Sequence, residues 1–176
     1  MSYKIITPAH LRSMRILSGL SRYELGVLMG GVPDSEVRVL ERSSCLFSYD
    51  GHLKILVELL GQVDRALDIK IDVVTKTNTP YLFCYPNDDQ FRKFEPILAK
   101  WMQFNSAHLA FTARLLDALA VGYGRFPTVV EIDQESYADF LAGLPDTPDK
   151  RIGWATLDYI HTVKIREGLP RRRVMA

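Results

Sequence analysis

The sequence predicts a mainly α-helical fold with a small α+β part, arranged as an N-terminal helical domain and a strand–helix C-terminal domain. Three observations predict it. Residues 7–68 carry apolar side chains at helical spacing, divided by glycines and opened by capping residues. Residues 81–85 and 128–132 are short apolar stretches typical of strands, and each precedes a helical pattern. The composition, 47% hydrophobic and 24% charged over 176 residues, is that of a globular protein.

The first two helices are marked by the residues that precede them. Thr7 is a favourable N-cap before Pro8, which suits the first helical position, and Gly19 ends this helix. Ser21 and Glu24 have the S-x-x-E spacing of a capping box. The sequence therefore predicts one helix from Pro8 and a second directly after Ser21.

The third helix is predicted to run from Asp34, as its N-cap, to Arg42, after Gly30 and Gly31 break the second helix. Helical spacing divides its residues between two faces. One face holds Val37, Leu40 and Glu41, and the outward face holds Ser35, Arg38, Val39 and Arg42.

A fourth helix is predicted from His52 to about Asp68, where apolar residues recur at helical spacing. The threonine-rich segment 73–80 ends in proline and is interpreted as a linker. These features predict an N-terminal domain over residues 1–72 and a C-terminal dimerisation domain over residues 81–170.

The C-terminal domain has the pattern of two weak copies of one strand–helix unit, over residues 81–121 and 128–166. The first copy is predicted to contain a helix at 88–94 and a longer one at 97–121. The second contains helices at 134–142 and 152–166. Trp101 and Trp154 are expected to be equivalent core residues, and His108 and His161 each follow their tryptophan by seven positions.

Composition and motifs argue against several classes of function. The net charge of +1 gives no bulk attraction to nucleic acid, so any cationic surface must be local. The sequence has neither an export signal nor a membrane-spanning run, and Cys45 and Cys84 lack metal-type spacing. We therefore expect a cytoplasmic protein with no metal, no cofactor and no enzymatic activity.

The segment Leu11–Glu41, together with Trp101 and Trp154, resembles the anti-CRISPR-associated helix-turn-helix regulators and the small YdiL-like bacterial proteins. Residues 34–41 resemble the recognition helix of that family, and residues 152–154 resemble the start of its C-terminal helix. The resemblance implies a lambda-repressor-like N-terminal domain in a DNA-binding dimer that represses its own operon. The chain departs from the family in its greater length and in carrying Val39 and Leu40 at positions where related repressors often place base-reading residues.

A recognition helix brings one exposed face to base edges in the major groove, and the residues around it hold phosphates. Arg38 is best placed for a bidentate contact with guanine, and Arg22 for a phosphate contact at the start of helix 2. Taken singly, each such residue is more simply a solvated surface side chain, and the acidic Asp34 and Glu36 count against DNA binding. The candidate DNA-binding residues are Arg22, Tyr23, Ser35, Glu36, Arg38, Val39, Arg42, Ser43 and Ser44.

The function predicted from these residues is a sequence-specific transcriptional regulator, an autorepressor that binds an inverted-repeat operator in double-stranded DNA as a homodimer. The alternative is a protein-interaction module whose helical domain binds no DNA; Val39 would then belong to an apolar patch. A third alternative is a small enzyme, whose first support would be a pocket that holds His108 and His161 together.

Overall fold

A computed structural model describes residues 5–42, 47–48, 52–77 and 81–166. Over these residues the protein is mainly helical, with nine helices and two two-stranded sheets. The chain divides into two compact units. Unit 1 is formed by residues 1–79 and 84–126, and unit 2 by residues 80–83 and 127–176. These limits do not coincide with the boundaries expected at residues 72 and 81.

The first three helices are α1 (Pro8–Leu17), α2 (Arg22–Leu28) and α3 (Asp34–Leu40). Both predicted N-caps are confirmed: the backbone N–H of His10 donates to Thr7, and that of Glu24 donates to the Ser21 hydroxyl at 3.1 Å. The prediction that Asp34 is the N-cap of α3 is wrong. Pro33 holds that position and leaves Asp34 as the first helical residue, where the helix dipole favours a carboxylate.

We expect Ser21→Ala to lower the free energy of unfolding by about 0.5 to 2 kcal/mol, because it removes the acceptor for the Glu24 N–H. Ser13→Ala, at an exposed position inside α1, is the matched control and should have a much smaller effect. Urea denaturation followed by circular dichroism measures both. An equal change in the two variants would contradict a capping role for Ser21.

The fourth helix is longer than predicted. α4 runs from His52 to Thr77 and so passes through most of the segment that was interpreted as a linker. Val74 is 1% exposed, which shows that this segment packs into the core of unit 1. α4 contacts both α1 and α7 (Asn105–Tyr123), so the N-terminal helices share one core with α7.

Short strands and further helices complete the two units. β1 (Ile5–Ile6) pairs antiparallel with β2 (Phe47–Ser48). β3 (Tyr81–Cys84) is followed by α5 (Asp88–Phe94), α6 (Pro96–Met102) and α7. The single helix predicted over 97–121 is therefore two helices, which are separated where Gln103 has a φ of 61°. β4 (Thr128–Glu131), α8 (Gln134–Leu141) and α9 (Pro148–Arg166) follow, and β4 pairs with β3.

The two predicted copies differ in packing. Trp154 is 5% exposed in unit 2, and its Nε1–H donates to Ser136 at 3.0 Å. Trp101 is 36% exposed in unit 1, so the expectation that both tryptophans are core residues is wrong for Trp101. His108 is buried in unit 1, whereas the side chain of His161 lies outside the described residues.

Candidate nucleic-acid interface

A tight turn joins α2 to α3. Gly30 and Gly31 have φ values of +88° and +92°, a region that L-residues with a Cβ adopt at a cost. Gly26 lies inside α2, and a Cβ at this position would lie 2.0 Å from the carbonyl oxygen of Val32. Glycine at position 26 therefore lets α2 approach the backbone that leads into α3.

An ion-pair cluster joins α1, α2 and the end of α3. The Glu41 side chain is 1% exposed and accepts a hydrogen bond from Arg15 Nε at 2.5 Å and from Arg22 Nε at 2.7 Å. Burial raises the pKa of Glu41, but the hydrogen bonds and charges of the two arginines outweigh burial and hold the pKa below its usual value of 4.5. The carboxylate is therefore ionised at neutral pH, and it links three helices through one side chain.

The structure brings most of the predicted interface residues to the surface around α3. Ser35, Glu36, Arg38 and Arg42 are exposed, and Val39 is 63% exposed. Tyr23, at the start of α2, is 69% exposed. Ser43 and Ser44 lie outside the described residues. The two faces predicted for this helix are confirmed at Val37, which is 0% exposed, and at Glu41, which is buried.

Arg22 differs from its predicted setting. The sequence places Arg22 where a backbone amide and a cation can together hold a phosphate, but its Nε is bonded to Glu41 and its side chain is 31% exposed. Sequence spacing alone gave no sign of this contact, since the two residues are 19 positions apart. The surface of α3 is also balanced in charge, because Asp34 and Glu36 are exposed beside Arg38 and Arg42.

A second contact, also missed from sequence, attaches α2 to the first turn of α7. The Ser106 hydroxyl donates to Glu24 Oε1 at 2.8 Å, while Glu24 Oε2 accepts from the Ser21 N–H at 2.6 Å. Gly19 packs against the same turn, and a Cβ there would lie 2.5 Å from the carbonyl oxygen of Ser106. The Glu24 carboxylate thus caps α2 and also accepts a hydrogen bond from α7.

His108 is a core residue of unit 1. The residue is 4% exposed, and the centroids of the Tyr85 and Phe91 rings lie 5.3 and 4.7 Å from that of its imidazole. Burial, with a smaller effect from the charge of Lys70, lowers its pKa from 6.5 to about 4. His108 is therefore neutral at pH 7, and its surroundings are those of a packed aromatic core.

Among the described residues, no group of three or more histidine, cysteine, aspartate or glutamate side chains could hold a metal ion. Over the same residues, no helix is both long enough and apolar enough to cross a bilayer. Neither a protein-family model nor a curated protein sequence matches this chain.

Proposed function

We propose that unit 1 binds double-stranded DNA sequence-specifically through α3, as a transcriptional regulator with an N-terminal lambda-repressor-like helix-turn-helix domain. The observation that carries the proposal is the division of α3 between an anchored face and an exposed one. Val37 and Glu41 hold the helix to its neighbours, while Ser35, Arg38 and Val39 are exposed.

The anchored face supports this function because a recognition helix must keep a fixed orientation on DNA. Glu41 follows α3 directly and is bonded to Arg15 from α1 and Arg22 from α2. Gly26 adds a close approach between α2 and the backbone before α3. These contacts set the direction of α3 before any partner binds.

The exposed face supplies side chains suited to base edges. Arg38 can make a bidentate contact with guanine, Ser35 can donate or accept, and Val39 can contact a thymine methyl group. Arg42, at the end of α3, and Tyr23, at the start of α2, are exposed and can reach phosphates. Arg22 could bind a phosphate only through the part of its guanidinium that is not bonded to Glu41. Glu36 could accept a hydrogen bond from cytosine.

We expect Arg38→Ala to weaken binding to the preferred duplex by about tenfold or more, since one bidentate guanine contact provides about 1 to 3 kcal/mol of discrimination. Arg65→Ala, which removes an exposed arginine of α4, is the matched control. The preferred sequence is first selected from random duplexes by the full-length protein. Gel-shift titrations at one fixed salt concentration then compare the variants.

The alternative function is that of a protein-interaction module that binds no specific DNA sequence. The balanced charges on α3 and the exposed Tyr23 and Val39 are the observations that favour it. In that case selection from random duplexes would enrich no sequence, and Arg38→Ala would match Arg65→Ala in its weak, salt-sensitive binding to any duplex.

The proposal extends to assembly and location. Two-fold dimers read two half-sites about one helical turn apart, which is the basis for proposing a homodimer and an inverted-repeat operator. Autorepression is proposed from the family resemblance alone, and a cytoplasmic location from the sequence. β3 and β4 pair within one chain, so the two copies could mimic a dimer internally, and only the outer edge of each strand is left for pairing between chains. We expect light scattering of the full chain at micromolar concentration to give the mass of a dimer; the 20.0 kDa mass of one chain would exclude it.

A further inference from the structure

Helix α7 is apolar on every side. Of its 19 residues, only Arg114 and Asp117 carry a charge at neutral pH, because His108 is neutral there. One side of α7 packs into the core of unit 1 through its buried residues, which include His108, Phe111, Leu115 and Leu119. A helix that faces water on its other side usually carries polar residues there, whereas a helix that is apolar all round is usually buried all round. α7 therefore has a second apolar face that is exposed in the single chain.

The exposed face has the residue spacing of a coiled-coil contact. Its residues follow one another at alternating intervals of four and three positions, and we call them the outer stripe: Leu109, Ala113, Leu116, Ala120 and Tyr123. Leu109, Ala113 and Tyr123 are exposed, and the other two are partly exposed. A repeat of about 3.5 residues keeps apolar side chains in contact with a neighbouring helix along their whole length. The spacing therefore indicates that the stripe is covered by a helix.

The sizes of the stripe residues match a second, antiparallel copy of α7. Leucine and alanine alternate over the first four positions of the stripe. If two copies are related by a two-fold axis between positions 114 and 115, Leu109 of each copy lies opposite Ala120 of the other, and Ala113 lies opposite Leu116. Each layer then joins one large and one small side chain, which fills the space between the helices evenly.

The two charges of α7 also match in this arrangement. Arg114 and Asp117 are three positions apart and so lie on the same side of the helix. The same axis brings Asp117 of each copy to about the level of Arg114 of the other, where the opposite charges attract. The Arg114 residues of the two copies also approach each other near the axis. Asp64 of the same chain accepts a hydrogen bond from each of them, which offsets their repulsion.

We infer that the outer stripe of α7 binds the same stripe of a second copy of this chain, in antiparallel orientation, and forms the contact of the homodimer. A stable interface buries roughly 800 Å² on each partner, and the end of α1 can add to the area of the stripe. Gly19 packs against Ala110 of α7, and Ile16 and Leu17, just before it, are exposed. This inference rests on the homodimer of the proposed function, but it does not rest on DNA binding.

Light scattering of the full-length protein over a range of micromolar concentrations tests the contact. We expect Ala113→Arg to raise the dimer dissociation constant about a hundredfold or more, because it places a charged side chain of each copy against apolar Leu116 of the other. Position 113 is exposed in the single chain, so this variant should fold. Ala138→Arg, the same substitution at an exposed position of α8, is the matched control and should keep the wild-type mass. Far-UV circular dichroism should show the same helix content in both variants.

Charge reversal tests the antiparallel alignment. Asp117→Arg should weaken dimerisation about tenfold, because the new arginine of each copy meets Arg114 of the other. Arg114→Asp should weaken it similarly, because the new carboxylate meets Asp117. An equal mixture of the two variants should recover the mass of a dimer at concentrations where each variant alone is monomeric, since every carboxylate then meets a guanidinium. A folding defect in either variant would not produce this recovery.

The possible outcomes separate the contact from the proposed function. Equal dimerisation of Ala113→Arg and Ala138→Arg would overturn the inference and leave the homodimer standing. Failure of the mixture to recover the dimer would overturn the antiparallel alignment. A monomeric wild-type protein would overturn both the contact and the homodimer. Dimers that are lost in Ala113→Arg, formed by a protein that selects no duplex sequence, would remove the proposed DNA binding and leave the contact standing.

Discussion

We expect Glu41→Gln to lower the free energy of unfolding by about 2 to 4 kcal/mol, because it removes the shared negative charge and leaves Arg15 and Arg22 facing each other. The Arg15 side chain is 12% exposed, so water solvates its charge poorly. Arg22 is 31% exposed, so water solvates its charge in part once Glu41 is replaced. The expected loss of unfolding free energy is therefore smaller than the largest losses seen when a buried ion pair is broken. Urea denaturation at pH 7 measures the change.

Glu58→Gln is the matched control for this variant. Glu58 lies 3.7 Å from Lys54 on α4 in an exposed pair, which should contribute less than about 1 kcal/mol. Because the pKa of Glu41 is lowered in the folded protein, its contribution is present above pH 4.5 and is lost as the pH falls further. Equal effects of the two substitutions at pH 7 would contradict the role assigned to Glu41.

We expect the wild-type protein to lose about 2 kcal/mol of stability between pH 7 and pH 5 through His108. The pKa of its imidazole is lowered from 6.5 to about 4 in the folded state, so the unfolded chain takes up a proton first. The stabilising effect is therefore complete above pH 6.5 and declines as the pH falls from 6.5 towards 4.

His108→Phe removes this titration and keeps an aromatic ring beside Tyr85 and Phe91. Its denaturation midpoint should depend less on pH than that of the wild type over the same interval. Parallel pH profiles for the wild type and His108→Phe would show that His108 does not carry the effect.

Sequence reasoning predicted well those elements whose signals are local. The caps at Thr7 and Ser21 act within one helical turn, and the structure confirms both. Two features that depend on distant contacts were not predicted, namely the C-terminal end of α4 and the break between α6 and α7. α4 continues to Thr77 because Val74 packs in the core, and the break at Gln103 has neither a glycine nor a proline to mark it.

In the candidate site, too, only the features that depend on local spacing could be predicted from the sequence. The inward direction of Glu41 follows from helical spacing, but its partners lie 26 and 19 residues earlier, where no periodic pattern could identify them. The exposure of Arg38 and Val39 could also be predicted from spacing. What those exposed side chains bind depends on a molecule outside the chain, so neither spacing nor folding energetics identifies it.

The contact between Ser106 and Glu24 has a consequence for synthesis. These residues are 82 positions apart, so at about 5 to 20 residues per second Ser106 is made on the order of 10 seconds after Glu24. During that interval the first helices lack the surface on which Gly19 packs. The nascent N-terminal segment therefore acquires its final packing only after α7 leaves the ribosome, which favours chaperone contact with it in the meantime.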